Sequence, residues 1–255
     1  SLREMEKEIE RDLLDGISNA SGKTTLNQLF KMHMELKNGL RATTRENYNR
    51  MWHNTVEASA IGKKKISDIK QVHVKAFYAD CVKAGLKRNT IKLIHNLIFS
   101  SFELAVDSDF IRKNPAKDAM ENIKQDAGEK IPLSEDEIKR LMDFCTNSGT
   151  YSVHVPFLTI AIGTCLRCGE LTGLTWGDID MKNRTISVNH QLIYKNFGDG
   201  CKFHVSEPKT DAGKRTIPMT EAVHRAFVEL RKQNLILGRR SDAEVDGYSN
   251  FVFVS

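Results

Sequence analysis

The hydrophobic period of this 255-residue chain turns from helical to alternating after Trp176, and that change restricts it to two packed bodies of different class. Up to Val106, apolar residues recur every three to four positions; after Trp176 they alternate. A helical stripe and an alternating strand bury different kinds of face, so they imply an α-helical bundle and a mixed α+β unit with a small antiparallel sheet. Between them, Asp118 to Lys130 is polar, contains Gly128 and has no period, which is the composition of an interdomain linker. The expected organisation is an N-terminal helix and linker over 1–21, a bundle over 22–117, a linker over 118–131 and a mixed unit over 132–255.

Four helices are expected in the first body. Leu26, Leu29, Phe30, His33 and Leu36 form a stripe that stops at Asn38-Gly39. Thr43-Thr44-Arg45-Glu46 reads as a capping box, in which a hydroxyl and a carboxylate satisfy free backbone N–H groups, and the helix continues to Val56. A third starts near Ser67-Asp68 and carries Ile69, Val72, Val74, Phe77 and Val82. The fourth runs from Thr90 through Ile91, Ile94, Ile98, Phe102 and Val106. In the second body Ser134-Glu135-Asp136-Glu137 caps a helix bearing Ile138, Leu141, Met142 and Phe144. Strands are expected at Thr185–Val188, Phe203–Val205 and Arg215–Pro218, with a helix starting at Thr220-Glu221. Phe251–Val254 reads as one more strand. An unpaired apolar edge invites aggregation, so further chain is expected after it, as Ser1 in place of Met implies chain before it.

The net charge of +5 is unevenly spread: residues 22–117 hold 18 Lys and Arg against 8 Asp and Glu, whereas 132–255 hold 15 of each. A basic surplus confined to one block suits a polyanion, since each neutralised phosphate releases counterions; on charge alone an ordinary solvated face is the better reading. No apolar run approaches the roughly 20 residues of a membrane span. Ser21-Gly22-Lys23-Thr24 has the end of a phosphate-binding loop but lacks the glycine five positions before Gly22, where Ile17 stands. Five scattered cysteines fit reduced thiols in a cytoplasm. Cys165 and Cys168 have CxxC spacing without a second pair for zinc, and are expected as small apolar fillers beside a turn.

The segment Gly163-Thr-Cys-Leu-Arg-Cys-Gly-Glu-Leu-Thr-Gly-Leu-Thr-Trp-Gly-Asp-Ile-Asp180 sets Arg167 between glycine-bearing turns at a helix entrance. Alone, that is a surface arginine. The whole string, however, resembles the first catalytic arginine box of the tyrosine recombinases, the phage integrase family; Cys165 stands where the family more often has glycine. At a suitable distance follow Ser206-Glu207-Pro208-Lys209-Thr210 and Arg215-Thr216-Ile217-Pro218, similar to the family's strand–turn–strand that carries the catalytic lysine. Lys209 fits that frame better than its neighbour Lys214. The basic block is similar to the family's core-binding domain, including Arg41 to Tyr48 and Arg88 to Lys92, with likeness to integrases of conjugative transposons from Gram-positive bacteria.

The resemblance implies a tyrosine recombinase clamp around duplex DNA, with its C-terminal part missing from this sequence. It implies Arg167 and Lys209 as catalytic residues, Glu170 as support for Arg167, and Arg41, Arg45, Lys87, Arg88 and Lys92 as phosphate contacts on one face. It implies a 3′-phosphotyrosyl intermediate with no cofactor and no metal. The implied partners are double-stranded DNA core sites, a tetramer on two sites, an excisionase and host DNA-bending factors. The implied setting is the bacterial cytoplasm, at the nucleoid. The family's His-x-x-Arg box does not occur, and Tyr248, which precedes the last expected strand, reads as a packing tyrosine rather than the nucleophile. A non-catalytic core-site DNA-binding relative and a helical adaptor are the alternative readings.

Overall fold

A computed structural model of the chain describes residues 23–121, 123, 131–198, 200–208, 210–239 and 241–254. The helix expected over 1–21 and most of the expected linker lie outside the described residues. The chain divides into two compact units, Ser1–Glu129 and Lys130–Ser255.

The first unit is helical. Helix α1 (Leu26–Leu36) begins on a capping box: Gln28 N–H donates to Thr25 Oγ1 at 3.3 Å, and Thr25 N–H to Gln28 Oε1 at 2.8 Å. Helix α2 (Ala42–Trp52) starts earlier than the Thr43–Glu46 box predicts. Arg41 is extended at the cap, and its carbonyl takes the first helical bonds from Thr44 and Arg45. Helices α3 (Gln71–Lys83) and α4 (Arg88–Asp107) follow. Ser67-Asp68 forms a 3₁₀ turn instead of opening α3, because Ile66 N–H is drawn to Thr24 O at 3.0 Å and Lys65 bridges Thr25. Fully buried Leu26, Leu29, Ile91, Ile94, Ile98 and Phe102 form the centre, so α1 and α4 meet along their apolar stripes. The Trp52 indole stacks on Phe30 at 3.9 Å and donates to Asn27 Oδ1 at 2.9 Å. Val72 and Val82, expected on the inner stripe, are exposed.

In the second unit α5 (Glu135–Thr146) begins at Ser134 on the expected capping box. It turns Cys145 inward, whereas Leu141 and Phe144 face outward. Next come α6 (Val155–Thr164), α7 (Cys168–Gly173), and strands β1 (Ile179–Asp180), β2 (Thr185–Val188), β3 (Gln191–Asn196), β4 (Cys201–Ser206) and β5 (Arg215–Pro218), closed by α8 (Glu221–Ile236). The sheet order is β1-β2-β5, antiparallel, with Val188 opposite Arg215. Strands β3 and β4 form a separate hairpin, so the β2-to-β5 connection is a long excursion. That hairpin packs on α7: a Cβ at Gly173 would stand 2.7 Å from Leu192 N, which only glycine avoids. Strands β1 and β3 were not expected. Phe251–Val254 is not a strand; Phe251 makes one bridge to Thr175, and Val252 N–H donates to Leu174 O while its side chain is buried. None of the described helices is long and apolar enough to cross a membrane.

Candidate active site

The site begins where α6 stops. Cys165 adopts a left-handed conformation, φ 50°, which ends the helix and reverses the chain; the same geometry suits a glycine. Leu166 tucks into the core, and Arg167, extended, begins α7. Its side chain is 77% exposed. Glu170, one turn on, is 4% exposed, so its carboxylate must find partners inside. Glu170 Oε1 accepts from Arg167 Nη1 at 2.8 Å, and Oε2 accepts the Arg167 backbone N–H at 3.1 Å. The support expected of Glu170 is thus a two-point hold on the head and the base of the same residue.

A second guanidinium shares that carboxylate. Arg215, first residue of β5, donates from Nη2 to Oε2 at 2.9 Å and from Nη1 to Oε1 at 3.3 Å, and Nη1 also reaches Gly213 O at 3.2 Å. The Arg215 hydrogen bonds hold the Glu170 carboxyl down at about 2, against a burial that pushes it up, with the Arg167 bonds helping. Two cations around one ionised carboxylate leave a net positive charge at the surface. Arg167, Glu170 and Arg215 line a cleft of about 790 Å³ together with Gln191, Pro208 and Thr210. A concave, net-positive surface with planar donors exposed is a receptor for a tetrahedral oxyanion such as a phosphodiester.

Lys209 lies outside the described residues, although its neighbours Pro208 and Thr210 line the same cleft as Arg167. Its competitor Lys214 pairs with Glu207 at 3.1 Å. Arg215 was read only as the start of a strand. The sequence holds no clue to the pairing, because Glu170 already has Arg167 three residues before it and its burial is a property of the fold.

Among the five cations singled out in the first unit, Arg41, Lys87 and Lys92 are exposed. The other two carry structure. Arg45 donates from Nη1 to Met34 O at 2.8 Å and from Nη2 to Lys37 O at 2.7 Å, capping the end of α1. Arg88 Nε donates to Ile123 O at 2.8 Å. Cys165 and Cys168, expected as buried fillers, are both exposed, since the chain reversal around Arg167 carries them to the surface. Tyr248 packs its ring on His190 at 4.2 Å, a buried histidine whose Nε2 contacts Gly173 O at 2.7 Å.

The phage integrase family matches over residues 132–255. The transposase of transposon Tn916 from Enterococcus faecalis is 30% identical over 258 residues, covering 100% of this chain, which spans 62% of that protein's length. A XerC-like tyrosine recombinase from Caldanaerobacter subterraneus is 30% identical over 186 residues, covering 69% of this chain and 46% of its own. Among solved structures, the Tn1549 transposon integrase in complex with a circular intermediate DNA superposes with a TM-score of 0.80 at 30% identity, over 91% of this chain and 72% of that one.

Proposed function

The chain belongs to the phage integrase family of tyrosine recombinases, and on that premise we propose that the whole protein cuts and rejoins DNA to integrate and excise a mobile element. The observation that carries the reading is Arg167, braced by a buried carboxylate at the rim of a cationic cleft. In the reaction, a tyrosine oxygen from outside this sequence attacks the scissile phosphorus. The bond to the 5′-oxygen breaks, leaving a 3′-phosphotyrosyl link and a free 5′-hydroxyl. The covalent link retains the phosphodiester energy, so rejoining consumes no nucleotide. Arg167 binds the non-bridging oxygens as charge develops on them, with a fork that stays protonated throughout. Lys209 gives its proton to the leaving 5′-oxygen.

Arg41, Lys87 and Lys92 neutralise phosphates of the core site, and Arg45 and Arg88 contribute positive potential from behind their carbonyl partners. Supporting partners come from the relatives: the Tn1549 integrase is solved bound to DNA, and the λ integrase, alike in fold only at 18% identity, as a tetramer on a Holliday junction. By that analogy we propose a tetramer on two duplex sites; an excisionase and host DNA-bending proteins setting direction at the bacterial nucleoid are proposed from the family resemblance alone.

The test is a nicked suicide substrate incubated with the full-length protein. A covalent protein–DNA adduct is expected, absent in Arg167→Ala and slowed in Lys209→Ala with DNA affinity nearly unchanged. Ordinary cleavage in Lys209→Ala removes that lysine from the mechanism. Tight, specific binding with no adduct from the wild type leaves a core-site DNA-binding protein without catalysis.

A further inference from the structure

We infer that Arg215 is a positioning residue of this site, coupling the Asp211–Gly213 turn to the guanidinium of Arg167 through Glu170. This rests on the recombinase reading above and adds to it a residue that touches no reacting atom.

The geometry makes the coupling specific. Arg167 is mostly in solvent, where a single ion pair fixes a long side chain poorly. Its aim is therefore only as good as the rigidity of Glu170. Glu170 sits on the six-residue helix α7, and its two oxygens are gripped in a fork by Arg215. Arg215 in turn is held by the sheet, opposite Val188 of β2, and is two-thirds covered, with its side chain 32% exposed. The same Nη1 that grips Glu170 also ties down Gly213 O. Gly213 closes the turn on itself: a Cβ there would stand 2.5 Å from Pro208 Cβ. One guanidinium thus joins the sheet, the Pro208–Lys214 turn and the carboxylate that aims Arg167.

Among the described residues, the charges facing Glu170 are few. Arg167 approaches from its own helix and Arg215 from β5, while β3, packed against α7, presents neutral Gln191. Glu207 and Lys214 on the turn pair with each other. His190 is bonded to Gly173 O and to Asn189 rather than to Glu170. Without Arg215, burial acts on Glu170 with the exposed Arg167 alone among the described cations opposing it, so the carboxyl would take up a proton at a higher pH than in the wild type. A neutral carboxyl no longer holds Arg167 by charge.

Adduct formation by the full-length protein, followed from about pH 8 to about pH 5, a span that reaches down toward the ordinary carboxylate range, reads this directly. In Arg215→Gln the rate is expected to fall about 10²-fold, as for a displaced catalytic group, with DNA affinity and its salt dependence little changed. The loss should deepen toward acid relative to the wild type. Glu170→Gln should show the same low rate without the added acid limb, and the double variant should be no slower than Glu170→Gln alone. Arg215→Lys, which keeps the charge without the fork, should recover part of the rate and of the pH profile; it carries the same readout if Arg215→Gln does not fold. A wild-type adduct with an unaltered pH profile in both Arg215 variants overturns this inference alone. So does a loss of affinity and salt slope with the profile intact, which would make Arg215 a phosphate contact. No adduct from the wild type sinks the recombinase reading and this inference together.

Discussion

The two units put their arginines to opposite uses. In the helical unit Arg45 commits both terminal nitrogens to main-chain carbonyls at the end of α1, and Arg88 commits Nε to Ile123 O. The Arg45 guanidinium replaces missing helical hydrogen bonds at the end of α1, and that of Arg88 ties α4 to a loop carbonyl. In the mixed unit Arg167 and Arg215 converge on one carboxylate, and Arg167 leaves most of its side chain in solvent. A guanidinium turned onto neutral main-chain carbonyls has its direction set by the backbone it ties together. One braced from behind by a buried carboxylate keeps its outer edge available and its direction fixed. Nature of the partner, rather than degree of exposure alone, thus separates the structural arginines from the site arginine.

Substitutions at four residues would break or sharpen that contrast. Arg167→Ala should lower strand cleavage by about 10²–10³-fold or more, the cost of one lost transition-state donor, while the melting temperature barely moves; a large loss of stability would erase the distinction between the units. Glu170→Ala should destabilise the second unit by roughly 2–3 kcal/mol, less than the roughly 3–5 kcal/mol of a fully buried pair because both guanidinia reach solvent. The pH dependence follows from the depressed carboxyl. Folded Glu170 titrates at about 2, below its unfolded value, so its contribution is complete above the ordinary carboxylate range near 4.5 and fades as pH falls toward 2. Acid unfolding followed by circular dichroism should therefore be shallower in Glu170→Gln than in the wild type. Arg45→Ala should cost about 1–3 kcal/mol through two unsatisfied carbonyls, seen as a lower denaturant midpoint, with a modest effect on DNA affinity. Lys92→Ala should leave stability unchanged and flatten the logarithmic salt dependence of DNA binding by about one unit of slope; an unchanged slope would remove Lys92 from the interface.

Local signals in the chain were strongest where one residue's backbone groups meet a side chain three positions away. The Ser134–Glu137 box placed the start of α5 correctly, because both partners lie within one turn. The Thr43–Glu46 box has the same spacing, yet that helix is entered from Arg41, whose carbonyl takes the first bonds; separately, Ser67-Asp68 is diverted by the bridge from Lys65 to Thr25, forty residues earlier. Alternation revealed β2, β4 and β5, whereas two-residue β1 is too short to alternate. The Phe251–Val254 run is apolar because it closes the core against Leu174, not because it pairs along a strand edge. Exposure of Phe144 and of Cys168 was invisible to periodicity, which marks a stripe without saying how much of it another element covers.

By itself the sequence determined the change from helical to alternating period, the concentration of positive charge in one block and the arginine box around Arg167. These are properties of neighbouring residues and survive in any conformation of the chain. The tertiary structure alone decided that Glu170, paired with Arg167, would be shared with Arg215, forty-five residues after it, and that Arg45 would face carbonyls. Whether a charged side chain is a brace, a cap or a ligand donor depends on which distant groups are desolvated beside it, and that follows only from packing.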